Sequence, residues 1–167
     1  MRTAYWKKYQ NLNQDIAQKV IEVKNIFSKQ NLKSIWVHDN HLLLVPYFLK
    51  KSFFEANIGF FFHSPFPSSD IFRMFRYRVQ VLHSLLSCDL VGFHLFEYAR
   101  NFFKSCHRLL GLEYEFRMGG YLCINFHGKN VVIRVSHVGV DQEFVEELMK
   151  SKKYRNILKS FKDQLAQ

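Results

Sequence analysis

The sequence predicts an α/β fold built on a mostly parallel sheet with helices on both faces, and three observations carry that expectation. Short apolar runs alternate with longer amphipathic segments, the pattern of strands joined by crossover helices. The runs are too short to be helices and stop at polar or proline-rich stretches. Three of them in succession end on hydrogen-bonding residues, at His38-Asp39, His63 and His94. In open parallel sheets ligands bind beyond the carboxyl ends of the strands, so these ends are where chemistry is expected.

Taken in order, Trp6, Tyr9, Leu12, Ile16, Val20, Val23 and Phe27 recur every three or four positions between Tyr5 and Gln30, which predicts a helix lying on the sheet. Ser34 to His38 is a short β-favouring run, followed by a helical pattern from His41 to Lys51. Ile58 to Phe62 is a second strand, and His63-Ser64-Pro65-Phe66-Pro67 forbids its continuation. Ser68-Ser69-Asp70 offers capping oxygens for a helix beginning near Ile71. A further helix follows over Val79 to Ser87, and Asp89 to Phe93 is the third strand. The helix from Leu95 to Leu110 places Phe96, Ala99, Phe102, Phe103 and Cys106 on one face, with Gly111 as its stop. Tyr121 to Phe126 and Asn130 to Val138 read as a hairpin around His127-Gly128-Lys129. A long helical tail begins at Asp141 and carries Phe144, Leu148, Tyr154, Leu158 and Phe161.

Composition bounds the function. With 48% apolar residues in 167, the chain has material for one domain-sized core, and most of its 18 Phe lie inside apolar runs such as IGFFF. The formal charge of +10 attracts anions, but Lys7-Lys8, Lys50-Lys51, Arg73/Arg76/Arg78 and Lys152-Lys153 are dispersed rather than blocked. A nucleic-acid module would need rings alternating with basic residues on one exposed face, and these rings sit in core periods instead. Cys88, Cys106 and Cys123 suit reduced thiols better than a disulfide framework or a zinc site. No run approaches the ~20 apolar residues of a membrane span, and the start lacks the centre of a secretory signal. The expectation is a cytoplasmic protein without membrane or nucleic-acid partners.

Asp39 with His38 and His41 forms a set able to hydrogen-bond sugar hydroxyls, move protons or hold a metal, or Asp39 simply caps the following helix. His63 is either a ring held rigidly at the crevice or a buried histidine satisfied by a carbonyl. His94 and Glu97 read as structural. The glycines form neither GxGxxG nor GxxxxGK[ST], and there is no Gly-x-Ser-x-Gly elbow, so no nucleotide loop or hydrolase nucleophile is recognised.

WVHDNHLLLVPYFLKK, IGFFFHSPFPSSDIFR and DLVGFHLFEYARNFFKSCHRLLGLEY, in that order and spacing, resemble the trehalose-6-phosphate synthase family. Trp6, Tyr9 and Asn13 fit its preceding helix, and Val138-Gly139-Val140-Asp141 looks like its turn before the second domain. The resemblance implies a retaining GT-B glycosyltransferase with two Rossmann-like domains that transfers glucose from UDP-glucose to glucose 6-phosphate, without a metal. On that basis residues 1–140 are part of the N-terminal, acceptor-side domain, and 141–167 lead toward a C-terminal nucleotide-sugar domain. Asp39 looks like the carboxylate that meets acceptor hydroxyls, and His63 like the histidine that meets the donor glucose. The arginine and lysine that neutralise UDP phosphates are expected beyond Gln167, and a glycine loop and an aromatic acceptor segment before Met1.

Two departures stand out. The family's His-Asp-Tyr-His reads His38-Asp39-Asn40-His41 here, and its Arg-Glu-Glu reads Arg78-Val79-Gln80. They admit an alternative, a non-catalytic regulatory relative that binds sugar phosphate or a synthase partner. Homo- or hetero-oligomers with synthase subunits fit either reading. GGYLCINFHGKNV is also similar to family members with a phosphatase domain downstream.

Overall fold

The computed structural model describes residues 3–26, 34–117 and 121–165. It divides into two compact units, Met1–His137 and Val138–Gln167. In the first, β1 (Ser34–His38), β2 (Asn57–Phe62), β3 (Leu90–Phe93) and β6 (Lys129–Val135) pair in parallel in that spatial order. β5 (Tyr121–Phe126) and β4 (Tyr114–Arg117) complete the sheet antiparallel beyond β6. Helices fill the connections: α1 (Thr3–Ile26), α2 (Val45–Ser52), the single turn α3 (Ser69–Phe72), α4 (Arg78–Leu86) and α5 (Phe96–Leu110).

The alternation of each strand sorts its side chains. Val37, Ile58, Phe60, Phe62, Val91, Phe93, Val131 and Ile133 point to one face and are buried. Phe102 of α5 meets Phe93 there at 5.5 Å between ring centroids, and Phe66 closes edge-on against Phe62 and Phe102. Each such ring, fully removed from water, contributes roughly 1.5–3 kcal/mol. The opposite face carries Trp36, His38, Gly59, Phe61, Gly92 and Arg134. Trp36, 56% exposed, lies flat over Gly59, whose missing Cβ would stand 2.8 Å from the indole. Phe61 covers Gly92 in the same way, at 2.4 Å. Only glycine lets a ring settle across the neighbouring strand at that height.

Most predicted elements are found, with informative shifts. α1 buries Trp6, Asn13 and Ala17 but leaves Leu12 and Val23 of the apolar stripe exposed. Phe27 and the predicted helix end at Gln30 lie outside the described residues, as do Gly119-Gly120. Asn40–Leu42 form a 3-10 turn, and α2 starts only at Val45, where Pro46 in the first turn lacks the N–H a helix interior would need. Gly111 ends α5 at φ 67, its N–H donating to the His107 carbonyl at 2.9 Å. The hairpin turn is shorter than predicted: His127 and Gly128 alone have positive φ, 51 and 81, and Lys129 already pairs with Phe126. Two consecutive positive φ values are what a type I′ turn requires.

At the amino ends of the strands Asp89 ties three elements. Its carboxylate accepts the Ile58 N–H at 2.7 Å and pairs with Lys129 at 2.9 Å and Lys50 at 3.2 Å. Partial burial works against ionising Asp89, but the Ile58 N–H and the two lysines outweigh it and hold the carboxyl below the usual aspartate value. Burial also pulls Lys129 below its ordinary value against the pull of Asp89, so the lysine surrenders hydration to make this contact.

The second unit is two helices rather than one long one, α6 (Gln142–Lys150) and α7 (Lys152–Leu165). Asp141 caps the first by accepting the Phe144 N–H at 3.1 Å, and the Ser151 hydroxyl that separates them accepts the Tyr154 N–H at 3.1 Å. Phe144, Leu148, Leu158 and Phe161 are exposed along them. Among the described residues no helix is long and apolar enough to cross a membrane.

Candidate functional site

Parallel pairing brings the ends of β1, β2 and β3 side by side, because His38 stands opposite Phe61 and Phe61 opposite Gly92. The chain leaves β1 abruptly. Asp39 adopts φ 64 and ψ 175, a region that disfavours any side chain, while its N–H still donates to the Phe61 carbonyl at 2.9 Å. A non-glycine residue there costs about 1–3 kcal/mol, and such outliers gather at functional sites.

That conformation aims the Asp39 carboxylate at the loop after β2. Its Oδ1 accepts from the Ser64 hydroxyl at 2.8 Å and from the Ser64 N–H at 3.3 Å. Its side chain makes no cap hydrogen bond to the following 3-10 turn, and Ser64 is its main partner. Partial burial opposes its charge, but the Ser64 hydroxyl, the Asn40 and Ser64 N–H groups and nearby His63 together hold the carboxyl below its ordinary value. An ionised, half-buried carboxylate fixed at one oxygen is suited to accept hydroxyl hydrogens with its other lone pairs.

His63 is exposed, not buried, and its partner is a side chain: Nε2 lies 3.0 Å from Nδ1 of His38. Its ring centroid is 5.0 Å from Phe61, 5.2 Å from His38 and 5.3 Å from His94. Three imidazoles thus stand in a row along the strand ends. His94 also ties β3 to the segment after β6 by donating Nδ1–H to the Ser136 carbonyl at 3.3 Å. His41 is exposed, and its carbonyl accepts from Asn13 at 3.1 Å. Glu97 lies exposed on α5. Among the described residues no three His, Cys, Asp or Glu side chains are grouped to hold a metal ion.

A shell from α1 fixes the loop behind Asp39. Tyr9 donates its hydroxyl to the Asn40 carbonyl at 2.8 Å and accepts the Leu43 N–H at 3.0 Å. Fully buried Asn13 accepts the Leu44 N–H at 3.0 Å and donates to the Tyr9 and His41 carbonyls. Trp6 stacks on Tyr77 at 4.2 Å, and its indole N–H donates to Gln80 Oε1 at 3.1 Å, which also receives the Gln10 amide. Gln80 therefore has a packing role, and Asn40 serves through its backbone.

The profile of Glycosyltransferase family 20 matches residues 1–167. The chain belongs to glycosyltransferase family 20. Within it, the probable alpha,alpha-trehalose-phosphate synthase (UDP-forming) 11 of Arabidopsis thaliana is 39% identical over 158 residues, which is 95% of this chain and 18% of that protein. The alpha,alpha-trehalose-phosphate synthase (UDP-forming) A of Dictyostelium discoideum is also 39% identical, over 95% of this chain and 20% of its own length. Among solved structures, the N-terminal domain of Candida albicans trehalose-6-phosphate phosphatase superposes with a TM-score of 0.75 at 30% identity, covering 96% of this chain and 33% of that one. The E. coli trehalose-6-phosphate structure bound with UDP-2-fluoro glucose gives 0.76 at 26% identity, over 90% and 32%. This family 20 chain thus spans about a fifth of the length of its curated relatives. The sheet and its helices are those of the GT-B N-terminal domain.

Of the site, the sequence singled out Asp39, His63 and His38, and the structure brings all three together. Ser64 was not singled out. Its signal was its place directly after His63 at the strand end, where a hydroxyl and a free N–H face the neighbouring loop.

Proposed function

We propose that this chain is the acceptor-side part of a retaining glucosyltransferase. In the complete protein the glucosyl group of UDP-glucose moves to a hydroxyl of glucose 6-phosphate, releasing UDP and forming trehalose 6-phosphate, with no cofactor. Asp39 accepts hydrogen bonds from the acceptor hydroxyls, and His63 meets the donor glucose. Both act by orientation and charge rather than by a covalent step. The observation that carries this reading is the placement of a charged Asp39, bonded to Ser64, close to His63 at adjacent strand ends, in a chain whose family membership spans its whole length. Residues 1–140 form the acceptor side, and 141–167 lead toward the nucleotide-sugar domain. Three buried, unpaired thiols support a reducing, cytoplasmic setting.

The test is trehalose 6-phosphate formation by the complete protein from UDP-glucose and glucose 6-phosphate. Asp39→Ala and His63→Ala should each lower kcat/KM by about 10²–10³, the loss expected when one preorganised polar contact to the transition state is removed. The 167 residues alone should form no product. Full activity in either variant, or turnover by the isolated chain, would sink the assignment.

A further inference from the structure

We propose that His38 is a positioning residue that fixes the tautomer and ring plane of His63, an inference that rests on reading His63 as the contact to the donor sugar. His38 Nδ1 and His63 Nε2 are 3.0 Å apart. A neutral imidazole has one N–H and one lone pair, so at this contact one nitrogen donates and the other accepts. A doubly protonated pair would set N–H against N–H and two positive charges side by side, breaking the bond. The state of His38 therefore dictates that of His63. If His38 donates, His63 carries its proton on Nδ1; if His38 accepts, Nδ1 of His63 is the bare nitrogen. Either way Nδ1 is the ring nitrogen left for a substrate, and its partner across the strands decides whether it donates or accepts.

The surroundings hold both rings to this arrangement. Trp36, two residues before His38 on the same face, lies nearly parallel to it at 20°, with centroids 6.4 Å apart. His63 is confined by Phe61 and His94 on its other sides. Among the described residues the charged and titratable groups facing the pair are Asp39, the next residue after His38, whose carboxylate is tied to Ser64, and His94, whose Nδ1–H is engaged by Ser136. His38 needs no substrate contact to act. A ring that orients a neighbouring histidine selects which substrate atom can be bonded.

Two variants of the complete protein separate this from a merely structural role. His38→Phe keeps a ring beside Trp36 but removes the nitrogen; His38→Asn returns an amide near the place of Nδ1. Nitrogen-15 imidazole correlation spectra should show one dominant His63 tautomer in the wild type, a mixture in His38→Phe and one dominant form again in His38→Asn. Trehalose 6-phosphate formation should fall about 10- to 100-fold in kcat for His38→Phe. The KM for glucose 6-phosphate should change little. His38→Asn should recover most of the rate. An unchanged His63 tautomer in His38→Phe overturns the proposal whatever the activity, and so does wild-type turnover by that variant. A wild type that makes no trehalose 6-phosphate but shows the tautomer change removes the sugar-transfer reading and leaves the coupling standing.

Discussion

Replacing Asp89 by Ala tests how the sheet is pinned at the end remote from the site. The substitution strips the Ile58 N–H of a charged acceptor at 2.7 Å and leaves Lys50 and Lys129 facing each other without a counter-charge. A hydrogen bond to a charged group contributes about 1.5–3 kcal/mol. The side chain is 33% exposed, so each lysine pair is partly screened and adds only about 0.2–1 kcal/mol. The expected loss is about 2–5 kcal/mol at pH 7, read from urea unfolding of the chain followed by far-UV circular dichroism. Asp89→Asn, which keeps an acceptor for Ile58, should lose less. The pH dependence has a definite sign. The folded Asp89 carboxyl is held below the ordinary value of about 3.9, so its contribution is complete above that pH and disappears as pH falls through the folded value. The wild-type and Asp89→Ala curves should therefore converge in acid. A loss below about 0.5 kcal/mol at pH 7, or a gap that does not narrow as the pH is lowered, would show that the lysines and not Asp89 organise this end.

Gly92→Ala would place a Cβ 2.4 Å from the Phe61 ring, so the ring must move and take its contact with His63 along; a loss of about 1–3 kcal/mol is expected in the same unfolding assay, with reduced transferase activity of the complete protein. Asp39→Gly should relieve about 1–3 kcal/mol of backbone strain while losing about 1.5–3 kcal/mol with the charged acceptor of Ser64. The two should roughly cancel, so the protein should melt close to wild type while losing about 10²–10³ in kcat/KM, and a fall in stability above about 3 kcal/mol would argue against strain at this residue. Burial pushes the Cys88 and Cys106 thiols far up, so iodoacetamide at pH 8 should label neither until the chain is unfolded, as peptide mass mapping would report.

Where the local pattern and the fold agree, the elements were legible. β1, β2 and β3 announced themselves as short apolar runs, and α5 by one apolar face and its terminal glycine. β4 was missed because Tyr114–Arg117 is four residues of mixed polarity whose strand character comes only from pairing with β5. The late start of α2 was written in Pro46, but the 3-10 turn before it depends on Tyr9 and Asn13 reaching over from α1. Asp39 and His63 were recognisable as strand-end residues. Their mutual arrangement was not, since Asp39 bonds Ser64 and His63 bonds His38 across 25 positions of sequence, a relation created by parallel register alone.

The rings that lie flat over glycines also leave the protein with two built-in optical reporters. It has only two tryptophans. Trp6 is 4% exposed and stacked on Tyr77, whereas Trp36 is 56% exposed above Gly59. Their emission should separate into a blue component indifferent to acrylamide and a red component readily quenched by it. Any partner that covers that face will shift the red component alone, and detachment of α1 will shift the blue one alone. Assembly at the sheet and integrity of the loop behind Asp39 can thus be followed separately, by light, without a label.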